Sequence, residues 1–136
     1  MNITIIWASA GIGLETVKRG LDRNHSITTL SRSGIEIEEK KSLKVILGDA
    51  TNKADLLYSI QNADAIIVTL GTSKNMKATT LFSDFAKLIV EIHKENKIDI
   101  PVIFVTGFGA EGQVTALPLS GPLVLYMGPP VQLVLL

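Results

Sequence analysis

Apolar positions along this chain switch between strand-like and helical spacing, and the switching predicts five strands separated by helices. Residues 2–7, with Ile3, Ile5 and Ile6, read as a first strand. From about residue 11 to 23, Leu14, Val17 and Leu21 recur at helical spacing, and Glu15 and Arg19 sit one turn apart on the outer face. Ile27 to Leu30 is β-prone and is closed by the turn-forming Ser31-Arg32-Ser33-Gly34. A charged connector, Glu36 to Lys41, leads to a third strand at Leu43–Leu47. Gly48-Asp49-Ala50-Thr51-Asn52 then turns into a short helix with apolar Leu56, Leu57 and Ile60.

The run Ala65–Leu70 has the apolar character of a strand buried on both faces of a parallel sheet. Thr79 or Thr80 suits the cap of the next helix, whose stripe is Leu81, Phe82, Phe85, Leu88, Ile89 and Ile92. Lys87, Glu91, Lys94 and Glu95 cover its other face, and Val102–Val105 reads as the fifth strand. Strands alternating with helices imply right-handed crossovers and an α/β doubly wound parallel sheet, with expected order 3-2-1-4-5. Residues 1–136 read as one domain.

The last segment, 112–136, breaks the pattern. No charged residue follows Glu111, and Pro118, Pro122, Pro129 and Pro130 interrupt the apolar stretch. A membrane span needs about 20 helical apolar residues, and Gly128-Pro129-Pro130 argues against one. Two readings stand: a buried tail or partial helix on the sheet, or apolar surface that packs against a second copy of the chain.

Composition narrows the function. Lys+Arg and Asp+Glu both number 13, so charge makes no case for nucleic acid or an anionic membrane. The chain has no cysteine, which excludes disulfides, thiolate metal sites and a cysteine nucleophile. His25 and His93 lack metal-ligand spacing. No charged segment precedes an apolar N-terminal stretch, so a cytoplasmic protein with a small-molecule partner is expected.

The candidate chemistry lies at the turns. Trp7-Ala8-Ser9-Ala10-Gly11-Ile12-Gly13 follows the first strand and opens a helix. A glycine-containing turn there presents backbone N–H groups and a helix N-terminus to a pyrophosphate. The same glycines also serve tight turns that hold no ligand. Arg32 ends the second strand, where an arginine suits a ribose 2′-phosphate and an acid would suit a free 2′-hydroxyl. The hydroxyls of Ser31 and Ser33 are further donors, so NADP(H) is expected over NAD(H); the alternative is a solvated loop arginine. Asp49 suits the adenine amino group or the turn alone. Leu70-Gly71-Thr72 and Thr106-Gly107-Phe108-Gly109 end strands four and five at the carboxyl edge, where ligands of such sheets bind. Gly71 would let a ribose pass, and Thr106 is the candidate contact to nicotinamide or substrate. Either residue also fits a plain turn.

Over residues 2–112 this succession resembles the atypical short-chain dehydrogenase/reductase group, the NAD(P)H-binding proteins similar to NmrA, biliverdin reductase B and related flavin reductases. Ala8-Ser9-Ala10-Gly11-Ile12-Gly13 is similar to the family's cofactor loop, and Leu30-Ser31-Arg32 to its NADP-selecting strand end. Gly48-Asp49-Ala50-Thr51 and Asn62-Ala63-Asp64-Ala65 resemble its adenine-side turn and its entry to strand four. Val105-Thr106-Gly107-Phe108-Gly109-Ala110 resembles its strand-five signature. The resemblance implies a Rossmann domain that either reduces small acceptors with NADPH or senses the cofactor without catalysis.

Three departures bear on this. Trp7 stands where the family has its first glycine, and its indole either folds away over strand one or fills the phosphate site. Family members continue past strand five to build a substrate pocket, so a pocket that is short here, or completed by a partner, is expected. The Tyr-x-x-x-Lys pair of conventional members is absent, since Pro130 follows Tyr126 and Asn62 follows Tyr58 at that spacing. The leading expectation is an NADP(H)-dependent reductase passing hydride to a flavin or quinone. The alternative is a non-catalytic NADP(H)-sensing protein acting through a protein partner. A receiver-like domain fits less well, because only Asp49 is a suitably placed strand-end acid.

Overall fold

The computed structural model describes residues 1–9, 11–69, 79–106, 123–128 and 132–135, with side chains over 1–9, 11–69 and 83–105. Its elements run β1 (Asn2–Ile6), α1 (Gly11–Asp22), β2 (Ser26–Ser31), β3 (Leu43–Leu47), α2 (Lys53–Ser59) and β4 (Ala65–Val68). They continue with α3 (Thr79–Asn96), β5 (Val102–Thr106), β6 (Leu123–Gly128) and β7 (Gln132–Leu135). The strands form one sheet in the order β3-β2-β1-β4-β5-β6-β7. The first five are parallel, in the expected order 3-2-1-4-5 and Rossmann-like arrangement.

Alternation along β1 builds both layers of core. Ile5 faces α1 and packs with Ala8, Val17, Leu21 and Ile27. Ile6 faces the other way, into a larger cluster with Leu30, Leu56, Ile66, Phe85, Ile89 and Phe104. The α1 layer therefore covers one face of the sheet, and α2 and α3 cover the other. No helix joins β2 to β3; the connector lays Ile35 and Ile37 against the α1-side core instead.

Helix ends are set by local chemistry. The α1 helix closes in a Schellman arrangement, with His25 N–H donating to Gly20 O at 3.0 Å, Asn24 N–H to Leu21 O at 3.0 Å, and Asn24 left-handed at φ 61°. Asn52 caps α2 by accepting from Asp55 N at 3.1 Å. Lys53 on α2 reaches Glu91 and Glu95 on α3. All three are solvent-exposed, so this link orients the helices more than it stabilises them.

The tail departs from one expectation. Residues 123–128 and 132–135 do not form the partial helix that was one of the options. They are strands that extend the sheet, β6 antiparallel to β5 with Phe104 opposite Leu125, and β7 antiparallel to β6 with Tyr126 opposite Val134. An unbroken apolar run satisfies strand and helix periods equally, and the prolines 129 and 130 remove the helical option, so backbone pairing with β5 decides.

One buried group works against the fold. Thr29, on the same face of β2 as Ile27, is fully buried, and its hydroxyl has no hydrogen-bond partner among the described residues. An unpaired buried hydroxyl costs about 1–3 kcal/mol. Thr29→Val replaces it with a methyl and is expected to raise stability by about 1 kcal/mol in urea unfolding. A variant less stable than the parent contradicts this reading.

Candidate functional site

The carboxyl ends of the parallel strands bring three sequence-predicted segments to one edge: the turn after β1, the turn after β2 and the turn after β3. The first is shaped by a shortage of room. A Cβ on Gly13 would lie 2.5 Å from Thr69 Oγ1, 2.6 Å from Trp7 O and 2.9 Å from Ala8 Cα. Only a glycine lets the first turn of α1 sit this close to the end of β1. Thr69, just past β4, locks the other side: its hydroxyl donates between Ile6 O at 2.9 Å and Trp7 O at 3.1 Å, and its N–H donates to Ile6 O at 3.1 Å.

Trp7 has a left-handed backbone, φ 62°. That costs a side-chain-bearing residue roughly 1–2 kcal/mol, which explains a glycine there in related loops. Its half-buried indole packs edge-on against Phe85 of α3, centroids 4.9 Å apart at 69°, and Phe85 meets Phe104 in the same way at 6.0 Å. Such an aromatic pair is worth about 0.5–1.5 kcal/mol beyond its buried area, enough with that area to offset the strain. Of the two placements open from sequence, the indole takes the one that folds away, onto the α3 layer.

The backbone N–H groups of Ala8, Ser9, Gly11, Ile12 and Gly13 donate to no partner among the described residues. Gly11 is left-handed at φ 56°, with open space where a Cβ would be. Helix-start amides of this kind suit a phosphate. The Ala8 side chain is fully buried, so only its backbone can face a ligand, whereas Ile12 is 56% exposed. Ala10 lies outside the described residues.

At the second turn, Ser31 is buried and its hydroxyl donates to Ser33 O at 2.7 Å. Its proton shapes the turn and is not free for a phosphate; Arg32 and Ser33 are the exposed members. The third turn is tied to the second, since Gly48 N–H donates to Ser31 O at 3.1 Å. Asp49 Oδ1 accepts from Thr51 N at 2.8 Å and Thr51 Oγ1 at 2.7 Å. These bonds, the backbone one foremost, and Arg32's nearby charge hold the Asp49 carboxyl below its ordinary value against a small opposing effect of burial. Oδ2 keeps no partner among the described residues. Ala50 is buried with Leu30 and Leu56, so its side chain belongs to the core.

Leu70, Gly71 and Thr72 lie outside the described residues; Thr106 is the last residue of β5, at the same edge, and its side chain lies outside them. Sequence reasoning missed Thr69 and Asp55, whose carboxylate accepts from Asp49 N at 3.0 Å. The one signal for Thr69 was a hydroxyl interrupting an apolar run.

The NAD(P)H-binding family model matches residues 8–122, most of the chain. This chain belongs to the NAD(P)H-binding family. Solved structures share its Rossmann fold. A short-chain dehydrogenase from Leptospira borgpetersenii, with bound NAD+, aligns at TM-score 0.55 and 18% identity over 70% of this chain and 46% of that one. A candidate NADH-flavin reductase from Streptococcus pneumoniae aligns at 0.55 and 23%, over 68% and 41%. UDP-N-acetylglucosamine 4-epimerase from Bacillus cereus aligns at 0.63 and 15%, over 88% and 40%. The chain spans less than half the length of each of these three proteins. No helix among the described residues is long and apolar enough to cross a membrane.

Two outcomes follow for this NAD(P)H-binding domain. Gly13→Ala drives a methyl into the Trp7 carbonyl and is expected to cost more than about 2 kcal/mol in urea unfolding, while Gly11→Ala, strained but unobstructed, costs about 1; equal costs contradict the packing account. For Asp49, a folded value below the unfolded one means that the unfolded chain binds more protons. Its contribution is therefore present at neutral pH and lost as pH falls below about 4. The stability gap between the parent and Asp49→Asn should narrow over that range, and a gap independent of pH contradicts it.

Proposed function

We propose that this chain is an NADP(H)-binding domain of a reductase that passes hydride to a small acceptor such as a flavin or quinone. The observation that carries the cofactor preference is Arg32, exposed on the turn after β2, beside Ser33 and within electrostatic reach of Asp49. No acid stands in Ser31-Arg32-Ser33 to take a free 2′-hydroxyl. The Arg32–Asp49 attraction does not block this role. An exposed pair of that kind is worth about 0–1 kcal/mol, whereas a dianionic phosphate gripped by a guanidinium gains more. The Leptospira protein binds NAD+, so the preference rests on this chain's own arginine.

The amides of Ala8, Ser9, Ala10, Gly11, Ile12 and Gly13 take the pyrophosphate, with Gly13 also fixing the helix start. Arg32, on the turn shaped by Ser31, takes the 2′-phosphate. Asp49 takes the adenine amino group through Oδ2, with Ala50 closing that side through its backbone. Leu70, Gly71, Thr72 and Thr106 border the nicotinamide side. The bound cofactor supplies the hydride; the protein's part is to hold it and to exclude water.

A second reading, a non-catalytic NADP(H) sensor acting through a protein partner, is favoured by one observation: Trp7 stands in a glycine's place with its indole fixed toward α3.

Calorimetry on parent and Arg32→Ala tests the proposal. The parent should bind NADPH more tightly than NADH, and the variant should lose about tenfold or more for NADPH, with NADH changed less than about threefold. A parent that prefers NADH, or equal losses for both, contradicts it. Steady NADPH oxidation with added flavin or quinone supports the reductase, and binding without turnover supports the sensor.

A further inference from the structure

The turn after β3 is held by a side chain that the start of α2 does not need. Asn52 caps that helix, its Oδ1 accepting from Asp55 N at 3.1 Å, and the Asn52 N–H already donates to Asp49 O at 2.9 Å. An acid at the third position of a helix ordinarily reaches back to the N–H of the cap residue. That donor is taken here. The half-buried Asp55 reaches three residues further back, and its Oδ2 accepts from Asp49 N at 3.0 Å. Gly48 makes the reach possible, because a Cβ there would lie 2.8 Å from Asp55 Oδ2 and 3.0 Å from Asp55 Cγ.

We propose that Asp55 is a positioning residue for base recognition: by holding the backbone of Asp49 it makes the site select adenine over a purine that lacks the 6-amino group. This role rests on the assignment of Asp49 to the adenine amino group given above.

The physical case is one of fixity. Asp49 is exposed, and a carboxylate on an exposed turn is free to change rotamer. Here its polar atoms are held one by one. Asp55 Oδ2 fixes its N–H, the Asn52 N–H fixes its carbonyl, and the Thr51 N–H and hydroxyl fix Oδ1. The Thr51 bonds set the carboxyl against its own turn, whereas the Asp55 bond sets that turn against α2. The Asp55 bond is also charge-assisted, the stronger kind. On the other side the Gly48 N–H donates to Ser31 O at 3.1 Å, so the turn is tied to β2 as well. An acceptor that is already ordered loses little freedom when a ligand donates to it, so one hydrogen bond suffices to discriminate between bases.

Calorimetry with NADPH and its hypoxanthine analogue, in which an oxygen replaces the 6-amino group, tests this on the parent, Asp55→Asn, Asp55→Ala and Gly48→Ala. The parent should prefer NADPH at least about fivefold, since the Asp49 carboxylate meets a donor in one ligand and an oxygen in the other. Asp55→Asn keeps an acceptor oxygen for Asp49 N and should keep the preference. Asp55→Ala removes that acceptor, and Gly48→Ala pushes the carboxylate aside while Asp55 stays in the chain. In each the preference should fall below about twofold, and either variant carries the test if the other does not fold. A general loosening of the α2 start would weaken both ligands alike and leave the ratio unmoved. If the folded alanine variants keep the parent's ratio, the positioning role is overturned and the NADP(H) reading stands. A parent that binds NADPH without preferring it to the analogue overturns this role together with the adenine assignment of Asp49, and leaves the Arg32 assignment standing. If the parent binds neither ligand, the NADP(H) reading itself fails, and the positioning role fails with it.

Discussion

The absence of a side chain at Gly13 is the constraint on which the site depends. It lets the first turn of α1 come down onto the last residues of β1, where Trp7 O, Ala8 Cα and the Thr69 hydroxyl all lie within 3 Å of any added Cβ. Because α1 starts this close, its first N–H groups, without a partner among the described residues, lie at the carboxyl edge at the end of the central strand. Thr69 completes the arrangement from the neighbouring strand by fastening the two carbonyls that precede the turn. The geometry of the turn and the placement of the helix start thus have a common origin in one close approach.

The same approach explains how Trp7 is tolerated. The turn demands a left-handed residue, and the cost of meeting that demand with tryptophan is of the same order as the gain from its packing on Phe85. Strain at the turn is offset in the core of the opposite layer. The turn that precedes α1 is thereby coupled to α3 through a single indole, a link that a glycine would not make.

Much of the fold could be read from the residues. Ile3, Ile5 and Ile6, the spacing of Val17 and Leu21, and the apolar run from Ala65 mark elements whose period is unambiguous, so the order 3-2-1-4-5 followed from connection rules. The β3 bounds, Leu43–Leu47, were legible outright. The strands β6 and β7 were not, because Leu123–Met127 has no polar positions from which to read a period and its pairing partner lies in β5. At the site, Gly11, Gly13, Arg32 and Asp49 were legible as types at strand ends. Their detailed roles were not. Ser31, at the buried end of β2, spends its proton on Ser33 O, and Ala50, in the turn between β3 and α2, packs into the core with Leu30 and Leu56. The direction of the Trp7 indole was beyond sequence reasoning, since it is decided by Phe85, a residue distant in the chain.

Backbone amide NMR of the parent protein, recorded with and without NADPH, tests most directly whether the turn after β1 is a phosphate site. The account predicts the largest shifts and slowed amide exchange at Ala8, Ser9, Gly11, Ile12 and Gly13, with a second group at Arg32, Ser33 and Asp49. Saturating NADPH that leaves those amides unchanged, or that perturbs only residues away from the carboxyl edge of the sheet, would contradict it.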